Sequence, residues 1–160
     1  IKIHDTVILF DGRSGEWLSK VISINRDNIV LQIVKKNKDL DSEKDIWLIF
    51  APIKLFRMNI TIQKATELGV HKFIPCITQN TNQPKINIRN LKMNIIEAAE
   101  QSERLTLPKI EEISELNNIL DKFPEDRGII FCDESNKNLP LIHEILPKYL
   151  NKYKKWSSIL

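Results

Sequence analysis

The first cluster of residues that could support chemistry lies within residues 57–70, RMNITIQKATELGV. Gln63 and Glu67 are four positions apart, so on a helix they share one face, and Lys64 flanks that face. Such a face, with Arg57 near its start, could hold phosphate groups and the edge of a base. The plainer interpretation is a solvated face that carries a Lys64–Glu67 ion pair, and periodicity alone favours it.

The second cluster covers residues 97–104, EAAEQSER. Glu97, Gln101 and Arg104 follow one another at helical intervals, which predicts one polar stripe along a helix. Arg104 is expected at the end of this helix, where its charge interacts favourably with the helix dipole. The stripe could face RNA or only solvent. Residue spacing alone therefore predicts a soluble α/β domain with a small β module, and no specific activity.

Residues 1–44 contain short strand-like runs, which must position any site in this part of the chain. These runs cover residues 7–10, 16–24 and 29–34. The apolar members of the second run are Trp17, Val21 and Ile22. Asp11 and Gly12 follow the first run and are typical of a tight turn. Residues 35–44 are almost entirely charged or polar and are predicted to form a loop. Three strands joined by tight turns indicate a small barrel or meander.

From residue 45 the pattern changes to alternating strands and helices. Strands are predicted at residues 46–50, 70–77 and 129–132 and from residue 156, and helices at residues 58–68, 90–104, 141–149 and after Ser114. Gly69 is predicted to end the first helix, and Ser114 to cap the third. The apolar face of the second helix is formed by Leu91, Ile95, Ala98 and Ser102. This alternation predicts a mostly parallel sheet with helices on its faces.

Composition excludes several classes of protein. The chain has 160 residues, a net charge of +3 and 42% hydrophobic residues, which are ordinary globular values. It has no apolar run near the roughly 20 residues that a membrane span requires, and its start lacks the layout of a signal peptide. Cys76 and Cys132 form no CxxC motif and are predicted to be buried thiols in a reducing cytosol. These features predict a cytoplasmic protein without a membrane segment or a bound metal.

The two polar clusters also resemble a known family. Residues 62–70, IQKATELGV, followed by Pro75 and Thr78, are similar to a motif of the RsmE family of 16S rRNA uridine-N3 methyltransferases. Residues 97–104, followed by Pro108, resemble a second motif of the same family. A match of nine residues together with one of eight is a specific signal.

The resemblance extends to the start of the chain and has two departures. Residues 9–12, LFDG, with Glu16, are similar to the family's barrel segment. Glu103 stands where the family usually has Gly, and Asn80 where an Arg often follows the strand. The loss of that Arg would remove one contact to RNA.

The resemblance implies a particular architecture and site. Residues 1–44 would be a partial PUA-like β-barrel that binds RNA, and residues 45–160 the first part of a SPOUT (alpha/beta knot) methyltransferase domain. The knot motifs, which bind S-adenosylmethionine, would begin just after Leu160, and members act as homodimers. The residues expected to bind RNA are Arg57, Gln63, Lys64, Gln101 and Arg104.

The implied reaction is methyl transfer from S-adenosylmethionine to N3 of a uridine in 16S rRNA of the small ribosomal subunit. N3 of uracil carries a proton at neutral pH, so a base must help to remove it, and uracil must be unstacked to reach the site. The sequence identifies no base; Glu97 and Glu134 are candidates only as carboxylates near loop or helix ends. Two alternatives stay open: a non-catalytic RNA-binding fragment or remnant, and a SPOUT enzyme that acts on tRNA.

Overall fold

The structure is a computed structural model that describes residues 1–81, 85–133, 139–150 and 152–159. The chain forms two compact units. The first, here called the β unit, comprises Ile1–Ser42 and Ala99–Leu107. The second, the α/β unit, comprises Glu43–Ala98 and Pro108–Leu160. The 99–107 segment thus groups with the N-terminal residues, although it is far from them in sequence.

The β unit contains a three-stranded antiparallel sheet in the order β1-β2-β3. Its strands are β1 (Thr6–Phe10), β2 (Glu16–Ile24) and β3 (Ile29–Lys38). The predicted turn at Asp11 and Gly12 is confirmed, and Gly12 has a φ of 75°, a conformation that glycine adopts without strain. Three irregularities in the β2–β3 register make this sheet less regular than its alternating sequence suggests.

One sequence expectation for the β unit is wrong. Residues 35–38 are expected in a loop but belong to β3, where they pair with β2; exposed lysines are compatible with a strand whose backbone is hydrogen-bonded. Ile22 is 48% exposed, and the buried positions of β2 are Glu16, Ser19 and Val21. The register shift between Val21 and Ser23 interrupts the strict alternation of inward and outward side chains in β2.

The α/β unit is built on a parallel sheet in the order β6-β5-β4-β9-β8, with β7 paired to β5. The strands are β4 (Ile46–Phe50), β5 (Lys72–Ile77), β6 (Lys109–Ile110), β7 (Ser114–Glu115), β8 (Arg127–Phe131) and β9 (Lys155–Ile159). The predicted parallel sheet is confirmed. The run at 46–50 is almost continuously apolar because β4 lies between β5 and β9 inside the sheet.

Four helices lie in the described residues: α1 (Leu55–Glu67), α2 (Ile88–Gln101), α3 (Leu116–Asp121) and α4 (Ile142–Tyr149). The apolar face predicted for α2 is buried at Leu91, Ile95 and Ala98. The boundary between the two units falls within α2, after Ala98. One face of the sheet packs against α3 and contains a core of Ile49, Ile74, Cys76 and Ile159.

Helices α1 and α2 end with the same backbone motif. After α1, Val70 N–H donates to Ala65 O at 2.9 Å and Gly69 N–H to Thr66 O at 3.1 Å. After α2, Arg104 N–H donates to Ala99 O at 2.9 Å and Glu103 N–H to Glu100 O at 3.3 Å. This pair of bonds is the Schellman motif, and it places Gly69 and Glu103 at positive φ, 88° and 55°.

Three further expectations for the α/β region need correction. Helix α2 ends at Gln101, so Ser102 and Arg104 lie beyond it, and Ser102 is exposed rather than part of the apolar face. Ser114 lies in β7 and does not cap α3, whose N-cap is Glu115 without a side-chain hydrogen bond. Cys132 is exposed because it follows β8, the last strand at one edge of the sheet, whereas Cys76 is buried as expected.

A buried cation joins three strands at their amino ends. Arg127, at the start of β8, is 4% exposed and donates to the carbonyl oxygens of Asp45 (2.7 Å) and Trp156 (3.0 Å). It also forms an ion pair with the Asp45 carboxylate, and its guanidinium carbon lies 3.7 Å from the ring centre of Trp47. These contacts connect β8, β9 and the residues that enter β4.

Candidate functional site

The first polar cluster lies on α1, and its members bind one another. Lys64 Nζ lies 2.7 Å from Glu67 Oε2, and Gln63 Nε2 donates to Glu67 Oε1 at 3.1 Å. The hydrogen bond from Lys64, together with the charge of its ammonium, lowers the pKa of Glu67. The expected Lys64–Glu67 ion pair is therefore present. Lys64 remains 59% exposed, so its ammonium still has donors for a further acceptor.

Arg57 lies in the first turns of the same helix. It is exposed and forms no ion pair with any described residue. The first turn of α1 contains no acidic residue, so its orphan backbone N–H groups have no carboxylate from their own turn beside them. Arg57 can therefore contact an anion without first breaking an internal salt bridge.

The second polar cluster lies at the end of α2 in the β unit. Gln101 is the last residue of α2 and is exposed. Arg104 is half-buried, and its Nε donates to Thr106 Oγ1 at 3.0 Å. The Schellman motif, and not a continuous helical stripe, determines where Arg104 lies. Glu97 is exposed on α2, whereas Glu134 lies outside the described residues.

One basic residue that spacing along the chain does not single out lies at the β1–β2 turn. Arg13 is exposed and follows Gly12, and a Cβ atom added to Gly12 would lie 2.9 Å from Leu107 Cγ. The turn therefore contacts the segment that follows Arg104. The sequence predicts only a turn for Asp11 and Gly12, and nothing in residue spacing indicates a contact between positions so far apart.

The α/β unit also contains a cavity of about 620 Å³ between β8, β9 and α4. Its lining is mainly apolar and aromatic: Gly128, Ile129, Ile130, Phe131, Cys132, Asp133, Leu139, Pro140, Leu141, Ile142, Ile145, Leu146, Tyr149, Tyr153 and Trp156. Cys132 Sγ lies 3.6 Å from Ser158 Oγ at the carboxyl ends of β8 and β9. Among the described lining residues, Asp133 is the one charged side chain, and none is basic.

Metal sites and membrane spans were sought in the described residues. In that part of the chain no three His, Cys, Asp or Glu side chains come together as metal ligands would. None of the helices described there is long and apolar enough to cross a membrane.

Family models match both parts of the chain. One described as an RNA methyltransferase PUA domain matches residues 1–34, and one described as an RNA methyltransferase domain matches residues 40–159. The second match covers well over half of the chain. Together with the antiparallel and parallel sheets, these matches confirm the predicted fold class, a PUA-like β unit followed by a SPOUT-type α/β unit.

Individual relatives agree with these matches. Ribosomal RNA small subunit methyltransferase E of Rickettsia conorii is 35% identical over 137 residues, which are 86% of this chain and 55% of that protein. The protein of the same name from Buchnera aphidicola subsp. Schizaphis graminum is 30% identical over 120 residues, 69% of this chain and 48% of that protein. The chain spans about half the length of these curated relatives.

A solved structure shows the same fold. The crystal structure of a ribosomal RNA small subunit methyltransferase E from Neisseria gonorrhoeae bound to S-adenosyl methionine superposes with a TM-score of 0.78 at 21% identity. The superposition covers 99% of this chain and 66% of that one. The resemblance to the RsmE family that the sequence indicates is thus confirmed by independent comparisons. The chain belongs to the RNA methyltransferase family, in its RsmE type.

Proposed function

We propose that the complete protein transfers a methyl group from S-adenosylmethionine to N3 of a uridine in 16S rRNA of the small ribosomal subunit. The observation that carries this proposal is the pair of family matches, with the PUA domain at residues 1–34 followed by the methyltransferase domain at residues 40–159. Relatives named as small-subunit rRNA methyltransferases support ribosomal RNA as the substrate. The cytoplasm, where ribosomal RNA is found, is the proposed location, and a homodimer is the proposed assembly.

RNA binding is the part of this function that the described residues can support. Arg57 and Lys64 are exposed cations on α1. Gln63 binds the same carboxylate as Lys64, and its amide can contact a base edge. Gln101 and Arg104 form a second polar group at the end of α2. We assign RNA contacts to these five residues, with phosphate contacts from the cations and base or sugar contacts from the amides.

The cofactor does not fit the described residues alone. S-adenosylmethionine supplies the methyl group when it is bound, and it carries a carboxylate as well as a ribose and an adenine. The cavity beside β8 has apolar walls for a ring, but no basic side chain among its described residues meets the carboxylate. These residues therefore do not form a complete cofactor site, and no catalytic step is assigned through it. The general base that removes the N3 proton is also unassigned. Of the two candidate carboxylates, Glu97 is exposed on α2 and Glu134 lies outside the described residues.

The 160-residue chain is accordingly expected to bind S-adenosylmethionine weakly. Isothermal titration calorimetry tests this expectation. A dissociation constant in the low micromolar range, corresponding to about −8 kcal/mol, would contradict it. Weak cofactor binding combined with firm RNA binding would favour the alternative function for this chain, a non-catalytic RNA-binding fragment.

The catalytic proposal is tested with the complete gene product and small ribosomal subunits from a strain that lacks the modification. Nucleoside mass spectrometry of the 16S rRNA after incubation with S-adenosylmethionine should detect N3-methyluridine. Arg104→Ala should lower the rate at subsaturating subunit concentrations, whereas the control Lys122→Ala, at an exposed position after α3, should not. Transfer of methyl to another atom or to tRNA would contradict the proposed specificity.

A domain boundary at about residue 44 completes the proposal, with the RNA-binding module at 1–44 and the methyltransferase domain at 45–160. Residues 39–44 are exposed and lie outside any strand or helix. Trypsin should therefore cut first after Lys38 or Lys44 and release a C-terminal piece that stays folded. First cuts within α1 or α2, detected by mass spectrometry of the early fragments, would show that the boundary is wrong.

A further inference from the structure

The turn between β1 and β2 is held by one carboxylate. Asp11 Oδ1 accepts hydrogen bonds from the backbone N–H groups of Arg13 (2.8 Å) and Ser14 (2.7 Å), and Oδ2 accepts from Ser14 Oγ at 2.9 Å. These bonds lower the pKa of Asp11 to about 2, so the carboxylate is ionised at neutral pH. Ser14 Oγ in turn accepts from Trp17 Nε1 at 2.8 Å, which ties the turn to β2.

This turn packs against the segment that carries Arg104. A Cβ atom at Gly12 would meet Leu107 Cγ at 2.9 Å, closer than such atoms approach one another, so the glycine backbone lies directly on the Leu107 side chain. Leu107 is three residues beyond Arg104, and both belong to the β unit together with the turn. The contact therefore brings Arg13 and the 104–107 segment to the same part of the β unit.

Arg13 has the properties of a phosphate-binding residue. Its side chain is exposed and makes no ion pair with the described residues, while its backbone N–H is fixed by Asp11. An arginine fork matches the oxygens of a phosphate, and a fixed backbone reduces the entropy lost when the contact forms.

We propose that Arg13 binds an RNA phosphate and forms one basic surface with Arg104. This inference rests on the proposed RNA-binding function. Asp11 is the positioning residue for this surface. The polyanionic backbone of RNA is the ligand that suits two arginines presented by separate segments. The oxygens of Asp11 already accept hydrogen bonds from three donors of the turn, and no ion pair joins Asp11 to Arg13 among the described residues.

The proposal predicts that Asp11→Ala changes RNA affinity in the direction opposite to the one that net charge predicts. If only net charge mattered, Asp11→Ala would strengthen RNA binding, because it removes a negative charge beside Arg13. If Asp11 positions Arg13, the same change loosens the turn and weakens binding. Asp27→Ala is the matched control, since Asp27 is also an exposed aspartate in a turn of the β unit and makes no hydrogen bond that holds Arg13.

The experiment measures the affinity of the 160-residue chain for a 16S rRNA transcript across a salt series. Arg13→Ala and Arg104→Ala should each reduce affinity several-fold and lower the slope of log K against log salt by about 0.7 to 0.9. Arg13→Lys should retain most of the slope. Asp11→Ala should weaken binding several-fold, and Asp27→Ala should leave it unchanged or stronger. Thermal unfolding of each variant verifies that it is folded, and Arg13→Ala, at an exposed site, should keep the wild-type midpoint.

The outcomes separate this inference from the proposed function. If Arg104→Ala weakens binding and Arg13→Ala does not, Arg13 has no contact and the inference is overturned, while the proposed function stands. If Asp11→Ala strengthens binding as much as Asp27→Ala does, the positioning role is overturned. If the unmodified chain binds the transcript no better than an unrelated protein of equal charge does, RNA binding by this chain fails, and the inference fails with it.

Discussion

The ends of α1 and α2 use the same hydrogen bonds but different residues at the critical position. Both helices close with the paired bonds of the Schellman motif, and both place the next residue at positive φ. At the end of α1 this residue is Gly69, with a φ of 88°; at the end of α2 it is Glu103, with a φ of 55°. Glycine adopts this conformation without strain, whereas a residue with a Cβ atom is strained by about 1–2 kcal/mol.

The difference shows that the surrounding contacts hold Glu103 at positive φ, although its side chain disfavours that conformation. The donor and acceptor groups of Ala99, Glu100 and Arg104 must be satisfied whichever residue lies between them. The segment that follows is fixed independently by the contact between Leu107 and Gly12. Helix α2 therefore turns at the same point with a residue that opposes the turn, and the β unit is less stable than it would be with glycine at this position.

The largest effect is expected at the end of α1. Gly69→Ala should lower the free energy of unfolding by about 1 kcal/mol, because alanine is strained at this φ. Apart from its chain neighbours, no described residue has an atom within 4 Å of the added methyl group, so a clash would not contribute. Urea denaturation followed by circular dichroism measures the change. A stability equal to the wild type would mean that the backbone relaxes, and the proposed contrast with Glu103 would lose its basis.

A smaller effect of opposite sign is expected at the end of α2. Glu103→Gly should raise the free energy of unfolding by about 0.5–1 kcal/mol, which corresponds to a midpoint shift of about 2–4 °C at most. Glu103→Asn should give part of this gain, because asparagine tolerates the left-handed region. Glu103→Gln is the charge control and should leave stability unchanged. If Gln stabilises as much as Gly, repulsion between carboxylates, and not backbone strain, explains the effect.

The smallest effects on stability are expected at the residue that follows Gly69 or Glu103. The two helix ends should differ most there in their effect on RNA affinity. This position is occupied by Val70 after α1 and by Arg104 after α2. Val70→Ala should cost about 0.5 kcal/mol of stability through lost apolar contact and leave RNA affinity unchanged. Arg104→Ala should change stability by less than about 0.5 kcal/mol and reduce RNA affinity. A fall in stability without a change in RNA affinity would make Arg104 a structural residue like Val70.

Strong periodic signals explain which parts of the fold can be predicted. The continuous apolar run of β4 and the buried face of α2 at Leu91, Ile95 and Ala98 are predictable because burial repeats along the element. Strands β6 and β7 have two residues each, too few for any period, and the sequence therefore favours a helix cap at Ser114. The exposure of Cys132 depends on which strand lies at the edge of the sheet, and strand order is a property of the whole chain.

The candidate site is predictable where its residues are close in sequence. Helical spacing predicts that Gln63, Lys64 and Glu67 lie together, and in the structure Gln63 and Lys64 both bind Glu67. The contact of Gly12 with Leu107 cannot be found in this way, because it depends on tertiary packing between distant segments. Glu103 is recognisable as a departure from the family's glycine, yet its positive φ becomes visible only in the structure.

The position of β9 has a consequence for synthesis on the ribosome. The last strand of the described sheet is inserted between β4 and β8, which both precede it in the chain. Until residues 155–159 leave the exit tunnel, β4 is paired on one edge only, by β5, and β8 lacks β9, so these strand edges are open to other nascent chains. Arg127 cannot reach the carbonyl of Trp156 before that time either. Release of a nascent chain shortened before residue 155 should therefore lead to aggregation.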